Sequence, residues 1–442
     1  MATAARTEDT GLVVVGASIA GLVAAITAAD HGHRVVLVER SKDLGGLAAS
    51  SAETIAAAAT RFQRVADVVD TTRRFLTDAQ AAMCGDVATA VAEAIVGQSA
   101  SLVEWLADRC GAQVALQSTT ASGGHARPRL HSVGDQGGAS LIAVLARAAS
   151  HHTHIRLRTT TEVDRLVPSD DGGVVGVALK PDRRGATVLR GSVLLACGGF
   201  VGNDELVTEH CADAKALPYV ATAGAMGDAI RLTTPLGAGL RNMAACAVTP
   251  LLAQPSHLAV PRAILDRGAI LVNQRGERFT DEKQASLPLA LAVRGQLGRL
   301  AYLLFDEHIA TEVGAHDPYF ARVVLPRASR RAGAVGMLAK QLELALPGLT
   351  ATIEASALRE PFYGMRVTGA RRVTLGGLAV DAQARVLDRM GNTIAGLFAA
   401  GGAAAGLGCD ETDGGLAGMD ALAGLAFARL AAQSLASVAD DG

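Results

Sequence analysis

The chain contains no run of basic residues interleaved with aromatics, and its 41 lysines and arginines nearly match its 43 acids. A nucleic-acid partner would leave an electrostatic footprint, and none is written here. No continuous apolar stretch reaches the length needed to cross a bilayer, so no membrane span is expected. The opening residues, MATAARTEDT, lack the apolar core of a secretory signal. Six cysteines at 84, 110, 197, 211, 246 and 409 are scattered without CxxC, CxxCH or zinc spacing. That excludes the usual metal and haem motifs and points to reduced thiols in a cytoplasmic protein.

What is present begins almost at once. With 442 residues, half of them apolar, the chain can hold two domains with separate cores. Leu12–Val15 has the length of a buried strand, and Gly16 and Gly21 bracket a turn that opens onto the alanine-rich helix Leu22–Ala29. A second apolar strand, Val35–Val38, delivers Glu39, followed by Arg40. A helix N-terminus offers amides and a positive dipole end to a pyrophosphate, and an acid at the end of the second strand accepts from ribose hydroxyls. Ser18 stands where the middle glycine of such turns usually lies. Glu39 at the decisive place favours FAD or NAD over NADP.

Further along, Val87–Cys110 reads as a helix closed by Gly111, and Gly123–Gly138 as a polar glycine-rich loop before helix Ala139–Ser150. Short β-prone segments follow: Ile155–Leu157, Val163–Val167, Val174–Leu179 and Val193–Ala196. Their alternation suggests antiparallel strands beside a parallel sheet. Gly198 and Gly199 end the last of them and permit close backbone approach. Prolines punctuate 236–359, which reads as an insertion. Leu378–Val380 and Arg385–Leu387 suggest a hairpin, Leu397–Ala400 a strand meeting Gly401 and Gly402, and Leu416–Leu435 a last helix. The expected class is α/β, with a discontinuous Rossmann-like domain in two parts, 1–235 and 360–442, and an inserted α+β cap between them.

These stations resemble, in this order, the FAD-dependent fumarate reductase/succinate dehydrogenase flavoproteins, a family that includes the 3-ketosteroid dehydrogenases. The resemblance rests on GASIAG with Glu39, Gly45–Gly46, GGHARPRLH (123–131), ACGGF (196–200) and GAMGDAIRL (224–232). GAILVNQRGERF (268–279), FYGMRV (362–367), LGGLAVD (375–381) and GLFAAGGAAAG (396–406) complete it, over nearly the whole chain. It implies a two-lobed FAD domain with a mobile cap, and hydride exchange at a carbon beside a carbonyl or carboxylate. FAD would be held non-covalently, because no histidine lies between Gly46 and His125. The residues expected around it are Gly16, Ser18, Ile19, Ala20, Gly21, Glu39, Arg40, Gly45, Gly46, Val163, Ala196, Cys197, Gly198, Asp228, Gly401, Gly402 and Leu416.

The departures are as informative. By ungapped counting the proton-donating arginine of the fumarate reductases falls on Ser286, and their substrate histidine on Thr249. Their Thr-Glu pair becomes Pro261–Arg262, a second histidine becomes Val373 with Arg371 and Arg372 just before it, and a late arginine becomes Gly415. Together these changes argue against fumarate or succinate. The acid that resembled enzymes use to hold the ribityl chain is Gly402, and Glu53 and Thr54 replace the glycines beside the ring. Tyr363, Glu53, Asp413 and Ser286 are the catalytic candidates, and Thr249, Arg262, Arg372 and His125 the substrate candidates. Arg129 and His131 in the polar loop are further candidates for cofactor or substrate contact. The expected activity is dehydrogenation or reduction of a C–C bond beside a carbonyl, in a cyclic ketone or steroid-like small molecule, with an electron partner the sequence does not name. A flavin monooxygenase and a degenerate, non-catalytic relative are the alternatives.

Overall fold

The computed structural model describes residues 6–83, 88–118, 123–182, 185–219, 224–407 and 415–439. Its main sheet runs in the spatial order Arg385–Leu387, Thr393–Ala399, Gly185–Leu195, β1 (Arg6–Val15), β2 (Val35–Val38) and Ile155–Arg158. From Thr393–Ala399 to Ile155–Arg158 every pairing is parallel, with Leu397 beside Val193, Leu12 beside Ser192 and Val35, and Val35 beside Ile155. Parallel strands need crossovers, and helices cover them. That explains the unbroken apolar run Leu12–Val15, fully buried or nearly so.

Helix α1 (Ile19–Asp30) starts three residues before the expected Leu22, because Ser18 caps it and accepts from the Gly21 amide at 3.2 Å. All of it except Asp30 is buried. Its alanines let the last helix, Met419–Ala439, lie close against it. Gly424 of that helix has so little room that a Cβ would fall 3.1 Å from Gly401 Cα. The last helix begins at Met419 rather than Leu416, after Gly418 in the left-handed region at φ +74°.

Two expectations are corrected here. Ile155–Arg158 is not an antiparallel strand: it joins the parallel sheet beside β2, because helix Gly138–Ser150 supplies the crossover. Of the segments expected to be antiparallel, Val163–Pro168 and Val174–Asp182 are, folding back onto Gly185–Leu195, while Val193–Leu195 lies parallel to β1. The hairpin expected at Leu378–Val380 and Arg385–Leu387 shrinks to one bridge, Val380 to Val386. Gly377–Leu378 pairs instead with Leu240–Arg241, and Arg385–Leu387 with Thr393–Ala399.

A second, antiparallel sheet has the order Cys246–Ala253, Phe362–Thr374, Ala301–Asp306 and Ile270–Val272, with Arg330–Ala332 alongside Phe362–Gly364. Helix Ser286–Arg294 packs on it, and its apolar core is separate from that of the main sheet. The sheet's longest strand ends at Thr374, beyond the insertion boundary expected at 359, because FYGMRV forms the sheet's centre and does not return to the first lobe. Among the described residues no helix is long and apolar enough to cross a membrane.

Candidate functional site

Three strand ends converge where the glycines lie. Gly16 donates its amide to Val38 O and Ala196 donates to Val15 O, both at 2.8 Å. At Gly16, with φ +104°, a Cβ would fall 2.5 Å from Ala196 O, and at Gly21 one would fall 1.9 Å from Gly16 O. Contact therefore demands glycine at both places, and at Gly16 the torsion does so as well. The first-turn amides of α1, from Ile19 and Ala20 onward, and its positive dipole end face this cradle.

Glu39 closes the cradle. Its Oε2 accepts from Ala17 N and its Oε1 from Ser41 N, each at 2.8 Å. A carboxylate has about four acceptor positions, so two stay available to ribose hydroxyls. Gly45 is tied to the same turn, its amide donating to Ala17 O at 2.8 Å, and Gly46 follows at φ +56°. Arg40 pairs with Asp228 at 2.9 Å, and Arg231, beside Asp228, donates to Val163 O at 3.3 Å. Burial, with Asp228 nearby, pushes the Cys197 thiol up to about 12, so it is an inert packing group. Gly198 turns at φ +82°, Gly401 has Ala20 within 3.1 Å of an added Cβ, and Gly402 has Gly199 N within 2.9 Å. A pyrophosphate with a ribose on one side fits this arrangement, because the glycines keep open the approach that side chains would close.

Glu53 lies in the left-handed region at φ +36°, a backbone conformation suited to glycine. Ser51 Oγ donates to its Oε2 at 2.7 Å. Burial raises the Glu53 carboxyl above its ordinary 4.5, opposed by the Ser51 hydrogen bond and by the nearby Arg372 guanidinium. Arg372 sits at a β-bulge of strand Phe362–Thr374. Ala247 opposes Val373 and Val248 opposes Arg371, which leaves Arg372 as the extra residue. Two residues on, Thr374 Oγ1 accepts from Phe200 N at 3.0 Å, fixing the strand against the glycine turn.

Two of the substituted positions meet. Arg262 Nη1 lies 3.4 Å from Ser286 Oγ, and its Nη2 donates to Gln284 O at 2.6 Å. Ser286 is fully buried, and Thr249, also buried, accepts from Leu251 N at 3.1 Å. Neither hydroxyl is a proton donor of the arginine kind.

Other expected residues lie elsewhere. Tyr363 stacks on Phe305 with centroids 5.4 Å apart and planes 9° off parallel, and it bonds Arg331. It is at the far end of strand Phe362–Thr374, about 36 Å from Thr374 at the rise of an extended chain. The structure does not bring it to the others. Arg129 and His131, read from the sequence as candidate contacts, are structural. Fully buried, Arg129 holds Asp70 and Asp78, each at 2.6 Å. His131 bonds Thr60 Oγ1 and Arg129 O, and burial pushes it down to about 4. His125 bonds Ala417 O at 2.8 Å, beside Leu416 and the start of the last helix, and its buried Nδ1 has no partner among the described residues. Asp413 lies outside the described residues. Among those described, no group of histidines, cysteines and acids is placed to hold a metal. Sequence reasoning missed Ser51 and Thr374, although the TLGG that begins at Thr374 marks a strand ending on glycines.

A family described as "FAD binding domain" matches residues 11–425. The chain is 30% identical over 441 residues to the NADH:fumarate oxidoreductase of Klebsiella pneumoniae (strain 342), covering 94% of this chain and 46% of that protein. It thus spans about half the length of that relative. Among solved structures, the open conformation of a flavocytochrome c3 fumarate reductase superposes with a TM-score of 0.83 at 27% identity, covering 97% of this chain and 78% of that one. The fold is also shared with 3-ketosteroid-Δ4-(5α)-dehydrogenase from Rhodococcus jostii RHA1, TM-score 0.68 at 24% identity, over 97% of both chains. Cradle, acid and matched family agree on FAD as the cofactor, and the chain belongs to this family of FAD-binding flavoproteins.

Proposed function

We propose that this chain is an FAD-dependent oxidoreductase acting on a C–C bond beside a carbonyl, in a cyclic ketone or steroid-like substrate rather than fumarate. One observation carries the reading: the buried Glu53 carboxyl, held by Ser51 Oγ, lies near enough to Arg372 to feel its charge. One proton-carrying group and one cation are what an enone or ketone requires.

FAD, when bound, supplies the site that gives or accepts hydride. Gly16, Gly21, Gly198, Gly401 and the first turn of α1 receive its phosphates and backbone, and Glu39 its ribose. Arg372 donates to the substrate carbonyl oxygen and stabilises the negative charge that develops there. Glu53, whose carboxyl burial shifts toward the protonated form, releases its proton to the α-carbon in reduction, and as the carboxylate takes one from it in dehydrogenation. Ser51 fixes the carboxyl orientation through Oε2. Arg262 turns Nη2 to Gln284 O and Nη1 to Ser286, which leaves it fewer donors for a second carboxylate.

The reading is supported by relatives that share this scaffold and are named as reductases or dehydrogenases, which also favours it over a hydroxylase. Anaerobic titration of the purified flavoprotein with cyclic ketones, enones, ketosteroids and dicarboxylates tests it. Spectral reduction or reoxidation of flavin by the carbonyl compounds is expected. A flavin answering to dicarboxylates alone overturns the reading.

A further inference from the structure

The cysteines among the described residues are all reduced, and they divide into two kinds. Burial pushes the thiols of Cys110 and Cys197 up to about 12, which leaves both inert. Cys211 and Cys246 instead meet where the two sheets join. Cys211 follows helix Asp204–His210 of the first lobe, and Cys246 begins strand Cys246–Ala253 of the second sheet.

Several contacts bring them together. The Cys211 thiol donates to Met243 O at 3.1 Å, reaching the segment that leads into that strand. Met243 and Cys246 both pack on the small apolar cluster of Phe200, Val207 and Cys211. Cys246 also opposes Thr374, whose hydroxyl accepts from Phe200 N, so one short circuit of contacts holds both cysteines. The two sulfurs share a hydrogen bond, which leaves them a short path to bonding distance. That bond holds the Cys211 thiol below its ordinary 9.0 against the effect of burial, and the Arg371 guanidinium adds to it. Cys211 is 5% exposed, whereas Cys246 is half-buried, so a small solute reaches the pair at Cys246.

We propose that Cys211 and Cys246 form a reversible oxidation site, closed to a disulfide by hydrogen peroxide and reopened by a dithiol. Cys246 attacks the peroxide as its thiolate and the O–O bond breaks. The departing hydroxide takes up the proton of that thiol and leaves as water, and Cys246 becomes a sulfenic acid. Cys211 then attacks the oxidised sulfur. The S–O bond breaks, a second water leaves with the Cys211 proton, and the S–S bond forms. Two electrons and two protons pass from the thiols to one hydrogen peroxide, which becomes two waters. The new bond ties the first lobe to the opening of the second sheet. It also closes the loop that carries Asp228, the partner of Arg40 beside the cradle. The inference does not depend on which substrate the cleft takes.

The test treats the flavin-loaded protein with hydrogen peroxide, blocks the remaining thiols with N-ethylmaleimide and maps the unreduced digest by mass spectrometry. A peptide joining Cys211 to Cys246 is expected, with four of the six cysteines still open to the maleimide after denaturation. Dithiothreitol should return all six. Phenylarsine oxide, which bridges two adjacent thiols with loss of water, tests the proximity without an oxidant. Wild type should retain one equivalent through gel filtration. Cys246→Ser, at a half-buried position, should release it at least about tenfold faster, because a chelate has lost one arm. Cys211→Ala should do the same, and Cys110→Ala should not. Oxidation that stops at a sulfenic or sulfinic acid on one cysteine overturns the proposal. So do links from this pair to Cys84 or Cys409 instead, or an arsenical held equally well by both variants.

Discussion

Thr374 Oγ1 accepts the main-chain N–H of Phe200 at 3.0 Å, joining the end of the second sheet's longest strand to the glycine turn of the main sheet. Both residues are buried, so neither group has water to fall back on. Thr374→Val should cost about 1–3 kcal/mol by orphaning that amide, while Thr374→Ser should cost much less. Denaturant unfolding of the flavin-loaded variants checks this. Because Arg372 is two residues away, the valine variant should also turn over more slowly than its stability predicts.

Glu53 gives a pH prediction of definite sign. Its folded pKa lies above the ordinary 4.5, so the native state binds its proton more tightly than the unfolded chain does. The stability tied to this group is present below pH 4.5 and is lost as pH rises toward the raised native value. Unfolding free energy of wild type minus that of Glu53→Gln should therefore fall with pH above 4.5 and then level off. A difference that rises with pH contradicts the assignment. The same variant should lose about 10²- to 10⁴-fold in turnover, the range for a proton-transfer group.

The cradle is tested by Gly21→Ala. The new Cβ would fall 1.9 Å from Gly16 O, a backbone atom that cannot step aside alone. A stability loss of at least about 1–3 kcal/mol and reduced flavin content after purification are expected. Full flavin content with unchanged stability would place the cofactor somewhere else.

Arg129 is the structural counterpart. It and Asp70 are both fully buried, and Asp78 takes its second arm. Arg129→Met leaves Asp70 buried and unpaired, at a cost of about 3–5 kcal/mol. Replacing Asp70 and Asp78 by asparagine in the same background should recover part of it. Flavin reduction by substrate in the surviving fraction should be unchanged, since the group touches neither cradle nor cleft.

Much of this was legible in the sequence. Gly16, Gly21 and Glu39 announce themselves because their chemistry is local, a turn and an acid at fixed spacing. The same holds for ACGGF, whose glycines the structure places against Thr374 and Gly402. Tyr363 misled because its segment resembles one near a flavin, while strand registry carries it to the distant end of its sheet. Ile155–Arg158 misled because short alternating strands read alike whether parallel or antiparallel. The bulge at Arg372 shifts the register of its strand, and residue alternation alone gives no sign of it. His131 and Arg129 looked available because a polar loop conceals which polar groups find buried partners.

The central claim is that Glu53 and Arg372 process a carbonyl-conjugated double bond where relatives are named for fumarate. Its most direct test is the anaerobic reoxidation rate of the chemically reduced flavoprotein, with a cyclic enone or a ketosteroid enone against fumarate, in wild type and Arg372→Gln. The account predicts reoxidation by the enone, slowed about 10²- to 10³-fold in the variant, and none by fumarate. Reoxidation by fumarate that outpaces every enone, or an enone rate indifferent to Arg372, would contradict it.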